Sequence, residues 1–197
     1  MIGLKILNLP NKFTSTNMPN NKPSVLLICN TPFQIMMACH IATLYYKDYD
    51  VDITISEGIK GGETLAQNAQ NVTLFRRVFF IKNKKTFLAS PSILGKCKYV
   101  CGRIREVWNN WTIAKNLAKN KYDACLFSNI SILTKLFTSI LKKHNPNVHL
   151  AIFEEGLVTY TRLYSSGDAP TSLYRRFIDR TGLLTKIDTL YLCHPYL

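Results

Sequence analysis

The run Val25-Leu26-Leu27-Ile28-Cys29 constrains the fold most, because no position in it is polar. Successive side chains of a strand point to opposite faces, so such a strand is stable only where both faces are covered, as in a parallel sheet between layers of helices. Thr31-Pro32 comes directly after it. Threonine can accept a hydrogen bond from a free N–H of a first helical turn, and proline suits the first helical position. Ile35, Met36, Cys39, Ile41, Ala42 and Tyr45 then recur at helical spacing. Residues 24–30, a tight loop and a helix therefore make a first βα unit.

The alternation continues along the chain. Val51 to Ile55 predicts a second strand, then a break at Gly58, Gly61 and Gly62 and a short helix over 63–68. A third strand is expected within 72–82, a long helix over 96–119, a strand over 122–127, a helix over 130–143 and a strand over 148–153. Beyond Gly156 the pattern weakens: 157–170 reads as loop, 172–180 as a helical segment and 187–193 as a last strand. Strands alternating with helices predict an α/β fold, a Rossmann-like doubly wound parallel sheet. The 197 residues suit a single such domain. Residues 1–22 mix Lys5, Lys12, Asn17, Asn20 and Asn21 with short apolar pieces, lack the continuous apolar centre of a secretory signal, and read as a flexible polar leader before a lobe spanning 23–197. The three glycines after the second strand lack the G-x-G-x-x-G spacing of a nucleotide loop.

A 47% hydrophobic content excludes a disordered chain, and no apolar run approaches the roughly 18 residues that span a bilayer. Most of the six cysteines sit inside apolar segments, as small core residues of a protein in a reducing cytoplasm do. Cys97 and Cys101 are four apart on the long helix, but no second Cys or His pair completes a metal site, so none is expected. The formal net charge of +13 is a stronger signal. Lys82, Lys84, Lys85, Lys96, Lys98, Arg103 and Arg105 bracket one segment, with further clusters at Lys142-Lys143 and at Arg175, Arg176 and Arg180. Such a field attracts polyanions of any kind: nucleic acid, anionic lipid, or acidic glycans.

Chemistry enters where the run Leu150 to Phe153 ends abruptly in Glu154-Glu155-Gly156. The glycine permits a sharp turn, and the carboxylates fall at the C-terminal end of a strand, the edge where open α/β sheets bind ligands. A partly desolvated carboxylate there can take a proton from a bound hydroxyl. Glu154 and Glu155 can equally begin a solvated loop or cap the next helix. Thr31, Pro32 and Gln34 follow the end of the first strand, and Ser128 and Asn129 follow the end of another. These can line a cleft and hydrogen-bond a ligand, or serve as helix caps and exposed polar residues. His40 falls inside the first helix as a packed or exposed residue with no role, and His144 and His149 have no partner at nucleophile or ligand spacing. Trp108 and Trp111 read as core or interface aromatics, with stacking on a ligand as the alternative.

The segment Cys29-Asn30-Thr31-Pro32-Phe33-Gln34, taken with Phe153-Glu154-Glu155-Gly156-Leu157-Val158-Thr159-Tyr160, resembles bacterial glycosyltransferase family 52. That family contains lipooligosaccharide sialyltransferases, and related capsular polysialyltransferases carry similar elements. The resemblance runs from Ser24 to the C-terminus. It implies the N-terminal, acceptor-side lobe of a two-lobed glycosyltransferase of the GT-B type. Glu154 or Glu155 would deprotonate an acceptor hydroxyl as it attacks the anomeric carbon of CMP-sialic acid, with inversion and without metal or other cofactor. A His-Pro motif on the second lobe would bind the nucleotide. His194-Pro195 matches it in type but stands close to the last residue, so it is either that motif or a linker at the exit of the first lobe, and the donor lobe is expected to be missing from this chain.

The partners implied are a glycan acceptor and a nucleotide-sugar donor, with peripheral contact between the basic surface and the anionic inner face of a bacterial cytoplasmic membrane. Nucleic acid is not expected, since the sequence holds no recognition-helix motif, zinc-finger spacing or aromatic RNA-binding signature. A basic nucleic-acid-binding α/β protein and a non-catalytic glycan-binding remnant are the competing classes.

Overall fold

The computed structural model describes residues 4–6, 22–82, 93–129, 131–153 and 188–193. Along them the chain forms β1 (Leu4–Ile6), β2 (Ser24–Cys29), α1 (Pro32–Tyr45), β3 (Asp50–Ser56), α2 (Gly62–Gln70) and β4 (Arg77–Ile81). It continues through α3 (Ile93–Lys119), β5 (Ala124–Phe127), α4 (Ile132–His144), β6 (His149–Phe153) and β7 (Thr189–Cys193). The strands make one seven-stranded sheet in the order β1-β7-β6-β5-β2-β3-β4. From β4 across to β7 every neighbouring pair is parallel, and only β1 pairs antiparallel, with β7. The expected α/β, Rossmann-like doubly wound sheet is the fold observed.

Its winding is set by where the apolar runs lie. β2 occupies the middle of the sheet, between β3 and β5. Val25, Leu27 and Cys29 pack with Met37, Ala38, Ile41 and Ala42 of α1 and with Ala66 and Ala69 of α2. Leu26 and Ile28 pack on the opposite face with Ala114 and Leu117 of α3 and Leu133, Phe137 and Leu141 of α4. Both faces are covered, so a continuous apolar sequence costs nothing in exposure. Cys125 of β5 is part of this second core, and burial pushes its thiol well above the ordinary range, so it acts as a hydrophobe. The chain winds outward from β2 through β3 to β4, returns, and winds the other way through β5, β6 and β7. The direction reverses between β2 and β5.

Some boundaries differ from the sequence expectation. Leu4–Ile6, within the stretch read as a flexible polar leader, form β1 against β7. Residues 72–76 form turns that close α2, with Val72 N–H donating to Ala69 O and Phe75 N–H to Val72 O, and strand pairing begins only at Arg77. The expected helical segment 172–180 lies outside the described residues. The glycines before α2 shape a turn: Gly61 adopts φ of 73°, and a Cβ on Gly62 would sit 2.6 Å from the Ser56 carbonyl oxygen.

The N-terminal edge of the sheet is closed by a charged hub. The Asp52 carboxylate on β3 is fully buried and accepts from Arg76 Nη2 at 2.7 Å, Arg77 Nη2 at 2.6 Å and the Tyr122 hydroxyl at 2.6 Å. Arg76 also reaches Asp50 at 2.8 Å, and Arg77 reaches Asn120 at 3.0 Å. Burial pushes the Asp52 carboxyl up, but these hydrogen bonds outweigh it and hold the group below the usual carboxylate range. A carboxyl whose folded pKa is depressed contributes stability above its unfolded value, near pH 4, and loses it as pH falls through the folded value. Asp52→Asn should therefore cost about 2–3 kcal/mol at neutral pH. Urea midpoints at pH 7 and pH 3 check this: the wild type loses stability between them, and the variant loses less.

Candidate functional site

β2 and β5 are parallel neighbours, paired from Val25 with Ala124 to Ile28 with Phe127, so they finish at the same edge of the sheet. The exit from each strand is shaped locally. Thr31 holds an extended backbone and its Oγ1 accepts from Gln34 N–H at 3.2 Å, while Pro32 opens α1. After β5, Ser131 caps α4 by accepting from Thr134 N–H at 3.0 Å. The N-termini of α1 and α4 thus open on this edge, and neither first turn carries an acid. Their partial positive charge is left for whatever lies outside the sheet.

Three amides join the two strand ends. Gln34 folds back so that its Oε1 accepts from Asn30 N–H at 2.6 Å. Asn30 in turn donates through Nδ2 to Asn129 Oδ1 at 3.1 Å, across the gap between β2 and β5. Gln34 is 0% exposed, and its Nε2 has no hydrogen-bond partner. The bond from Asn30 N–H requires the oxygen of the Gln34 amide to face that way, so the unsatisfied atom is the NH₂ donor. An unpaired buried donor costs about 1–3 kcal/mol. Orphans of this kind are uncommon and call for an acceptor from outside.

Thr31, Pro32, Gln34, Ser128 and Asn129 are therefore brought together at the reversal of strand order, the position where doubly wound sheets bind ligands. Gln34 is not the exposed polar residue that one alternative supposed. Nor do Ser128 and Asn129 cap α4, since Ser131 does that, and Ser128 is itself buried. Asn30 was not among the expected site residues. Its sequence signals were an amide immediately before the capping threonine and its place in the 29–34 segment. Glu154, Glu155, Gly156, His194 and Pro195 lie outside the described residues. β6 ends at Phe153 beside β5, on the edge that holds Asn129.

The other candidates fall away from this edge or to its surface. Trp108 is 79% and Trp111 42% exposed, so neither is a core aromatic. His40 and His144 are exposed. His149 Nε2 contacts Thr189 Oγ1 at 2.7 Å at the start of β7, and burial lowers its basicity despite Asp188 nearby. Among the described residues, no group of three or more His, Cys, Asp or Glu could hold a metal ion. No helix there is long and apolar enough to cross a membrane.

No family model matches the chain, and no curated protein matches it. Among solved structures, the C-terminal domain of a hydrogenase from Pyrococcus furiosus aligns over 69% of this chain and 95% of its own, at 14% identity and a TM-score of 0.37. A likeness at that level carries no functional argument.

The hydrogen bonds rank three substitutions. Gln34→Ala strips the acceptor from Asn30 N–H and opens a cavity at a fully buried position, which outweighs removal of the orphan donor, and should cost about 1–3 kcal/mol. Thr31→Ala removes a cap and should cost about 1 kcal/mol. Asn129→Ala leaves the half-buried Asn30 amide open to water and should cost under about 1 kcal/mol. Urea denaturation of the three variants checks the order.

Proposed function

We propose that the chain is the acceptor-side lobe of an inverting glycosyltransferase of the sialyltransferase kind, adding sialic acid to a cell-surface glycan of the lipooligosaccharide or capsule type. Its setting is the cytoplasm, at the inner face of a bacterial membrane. The observation that carries the proposal is the set of neutral hydrogen-bonding groups at the reversal point: Asn30, Thr31, Gln34, Ser128 and Asn129, with the Gln34 Nε2 donor left unpaired. A sugar presents hydroxyls that both donate and accept, and amide and hydroxyl side chains match that pattern without the desolvation cost of buried charge. The resemblance of 29–34 and 153–160 to family 52 supports the same chemistry.

Glu154 and Glu155 come directly after β6 in sequence and supply the base. One of them takes the proton from an acceptor hydroxyl as that oxygen attacks the anomeric carbon of the donor. The new glycosidic C–O bond forms as the bond to the phosphate oxygen of CMP breaks, CMP leaves with the electron pair, and the configuration inverts. Amides fixed by their own hydrogen bonds hold the acceptor in line for this displacement, and positioning of that kind lowers the barrier through entropy already lost on folding. His194-Pro195 would contact the nucleotide only as part of a donor site.

A lactose-terminated acceptor should bind the chain in calorimetry, and Asn129→Ala should weaken that binding roughly 3- to 10-fold, the loss of one hydrogen bond. In transfer from CMP-sialic acid, Glu→Gln at whichever of Glu154 and Glu155 is the base should lower the rate roughly 10²- to 10⁴-fold. Equal rates in both Gln variants would remove these acids from the chemistry. Salt-sensitive binding of nucleic acid in place of the glycan would point to the other class.

A further inference from the structure

We propose that the outer face of α3 docks flat on an anionic lipid bilayer, with Trp108 and Trp111 seated among the headgroups. Val100, Ile104, Trp108 and Trp111 are spaced four, four and three residues apart, which puts them on one side of a helix. They are 54%, 62%, 79% and 42% exposed. α3 packs on another side, through Glu106, Asn110 and Leu117. Large apolar side chains gathered on one exposed stripe mark an interaction surface, whereas scattered ones do not.

The charge on this helix selects the occupant. Arg105, Lys115 and Lys119 are exposed beside the stripe, and Lys115 Nζ lies 5.8 Å from the centre of the Trp111 ring. The single acid between residues 93 and 119, Glu106, is buried and bonded to Arg103 at 2.8 Å. A second copy of this face would meet like charge with like. Nucleic acid would satisfy the cations but offers no apolar layer for Val100 and Ile104. A bilayer with anionic lipid supplies negative headgroups for the cations, an interface suited to indole rings and an acyl boundary for the aliphatics.

The fold also aims the docked helix. Asn110 pairs with the backbone of Lys82, its Oδ1 accepting from N–H at 3.0 Å and its Nδ2 donating to C=O at 2.8 Å. That fastens α3 immediately past Ile81, the C-terminal end of β4. The helical turns before Asn110, which carry Val100, Ile104 and Trp108, continue roughly 15 Å further on the side of the sheet that holds Asn30 and Asn129, at about 1.5 Å per residue. Docking would bring the amide cluster close to the headgroups, where a lipid-linked glycan begins. The inference rests on the peripheral setting proposed above but not on the transfer chemistry.

Trp108 and Trp111 are the two tryptophans of the chain, so indole emission reports this helix alone. Vesicles of phosphatidylcholine with one-third phosphatidylglycerol should shift the emission to the blue, and brominated acyl chains should quench it. Partition should be at least roughly tenfold weaker on phosphatidylcholine alone, since each cation near an anionic surface adds about a fivefold factor. Ile104→Asp keeps both indoles and should abolish the shift, and Trp108→Ser/Trp111→Ser should cut vesicle sedimentation at least tenfold, each with unchanged circular dichroism. Unaltered emission on anionic vesicles, full binding by Ile104→Asp, or a lipid-free blue shift that grows with protein concentration would overturn the proposal. Acceptor binding is measured without vesicles, so failure of either proposal is visible on its own.

Discussion

β2 has no free face, and the rest of the molecule is arranged around that. Its apolar side chains are buried above by α1 and α2 and below by α3 and α4, each fully buried one contributing about 1.5–3 kcal/mol relative to exposure. With both neighbours hydrogen-bonded and both faces sealed, β2 can offer polar groups to the outside only at its ends. At the C-terminal end it does so beside β5, because the chain reverses its direction of winding there. Helices leave the two strands in diverging directions at such a point, and a crevice opens between their N-termini. The site is thus a consequence of strand order, and strand order a consequence of which runs need two covers.

The two edges of the sheet are finished in opposite ways. At the N-terminal edge every demand is met internally: the buried Asp52 oxygens accept from two arginines and a tyrosine, and the charge is neutralised. Breaking that hub leaves charged groups without partners, which makes it a structural feature. At the C-terminal edge the amides satisfy one another incompletely, and the Gln34 NH₂ remains. Among the described residues the Asp52 hub has no orphan, whereas the Gln34 donor at the other edge is open to an acceptor from outside. Rigid strands beneath Asn30 and Asn129 hold those amides in position, so little ordering is left to be done on binding.

Much of the fold was legible because the decisive signals are local. Thr31 and Pro32 set the start of α1 within a few residues, and the apolar runs of β2, β5 and β6 needed nothing beyond their own composition. Where distant partners decide, sequence reading stopped short. Val72, Leu74 and Phe75 are as apolar as a strand yet form turns, since pairing with β3 begins at Arg77. Asp52 on an alternating strand would ordinarily face water, and its burial depends on Tyr122, 70 residues away. α3 is apolar on more than one side, so Trp108 and Trp111 could be assigned to core or surface only once its packed side was known. The site residues at 31, 34, 128 and 129 were nominated one strand end at a time. That two ends meet, with Asn30 as the link, required the order of the sheet.

The central claim is that the end of the sheet between β2 and β5 takes a sugar through its amides. Side-chain NH₂ resonances of Asn30, Gln34 and Asn129, followed by ¹H–¹⁵N correlation spectra during titration with a lactose-terminated oligosaccharide, test it most directly. Saturable shifts at these three amides, largest at Gln34, with the Asp52 edge silent, are the predicted result. Unmoved amides at saturating oligosaccharide, or shifts confined to Arg76 and Arg77, would contradict it.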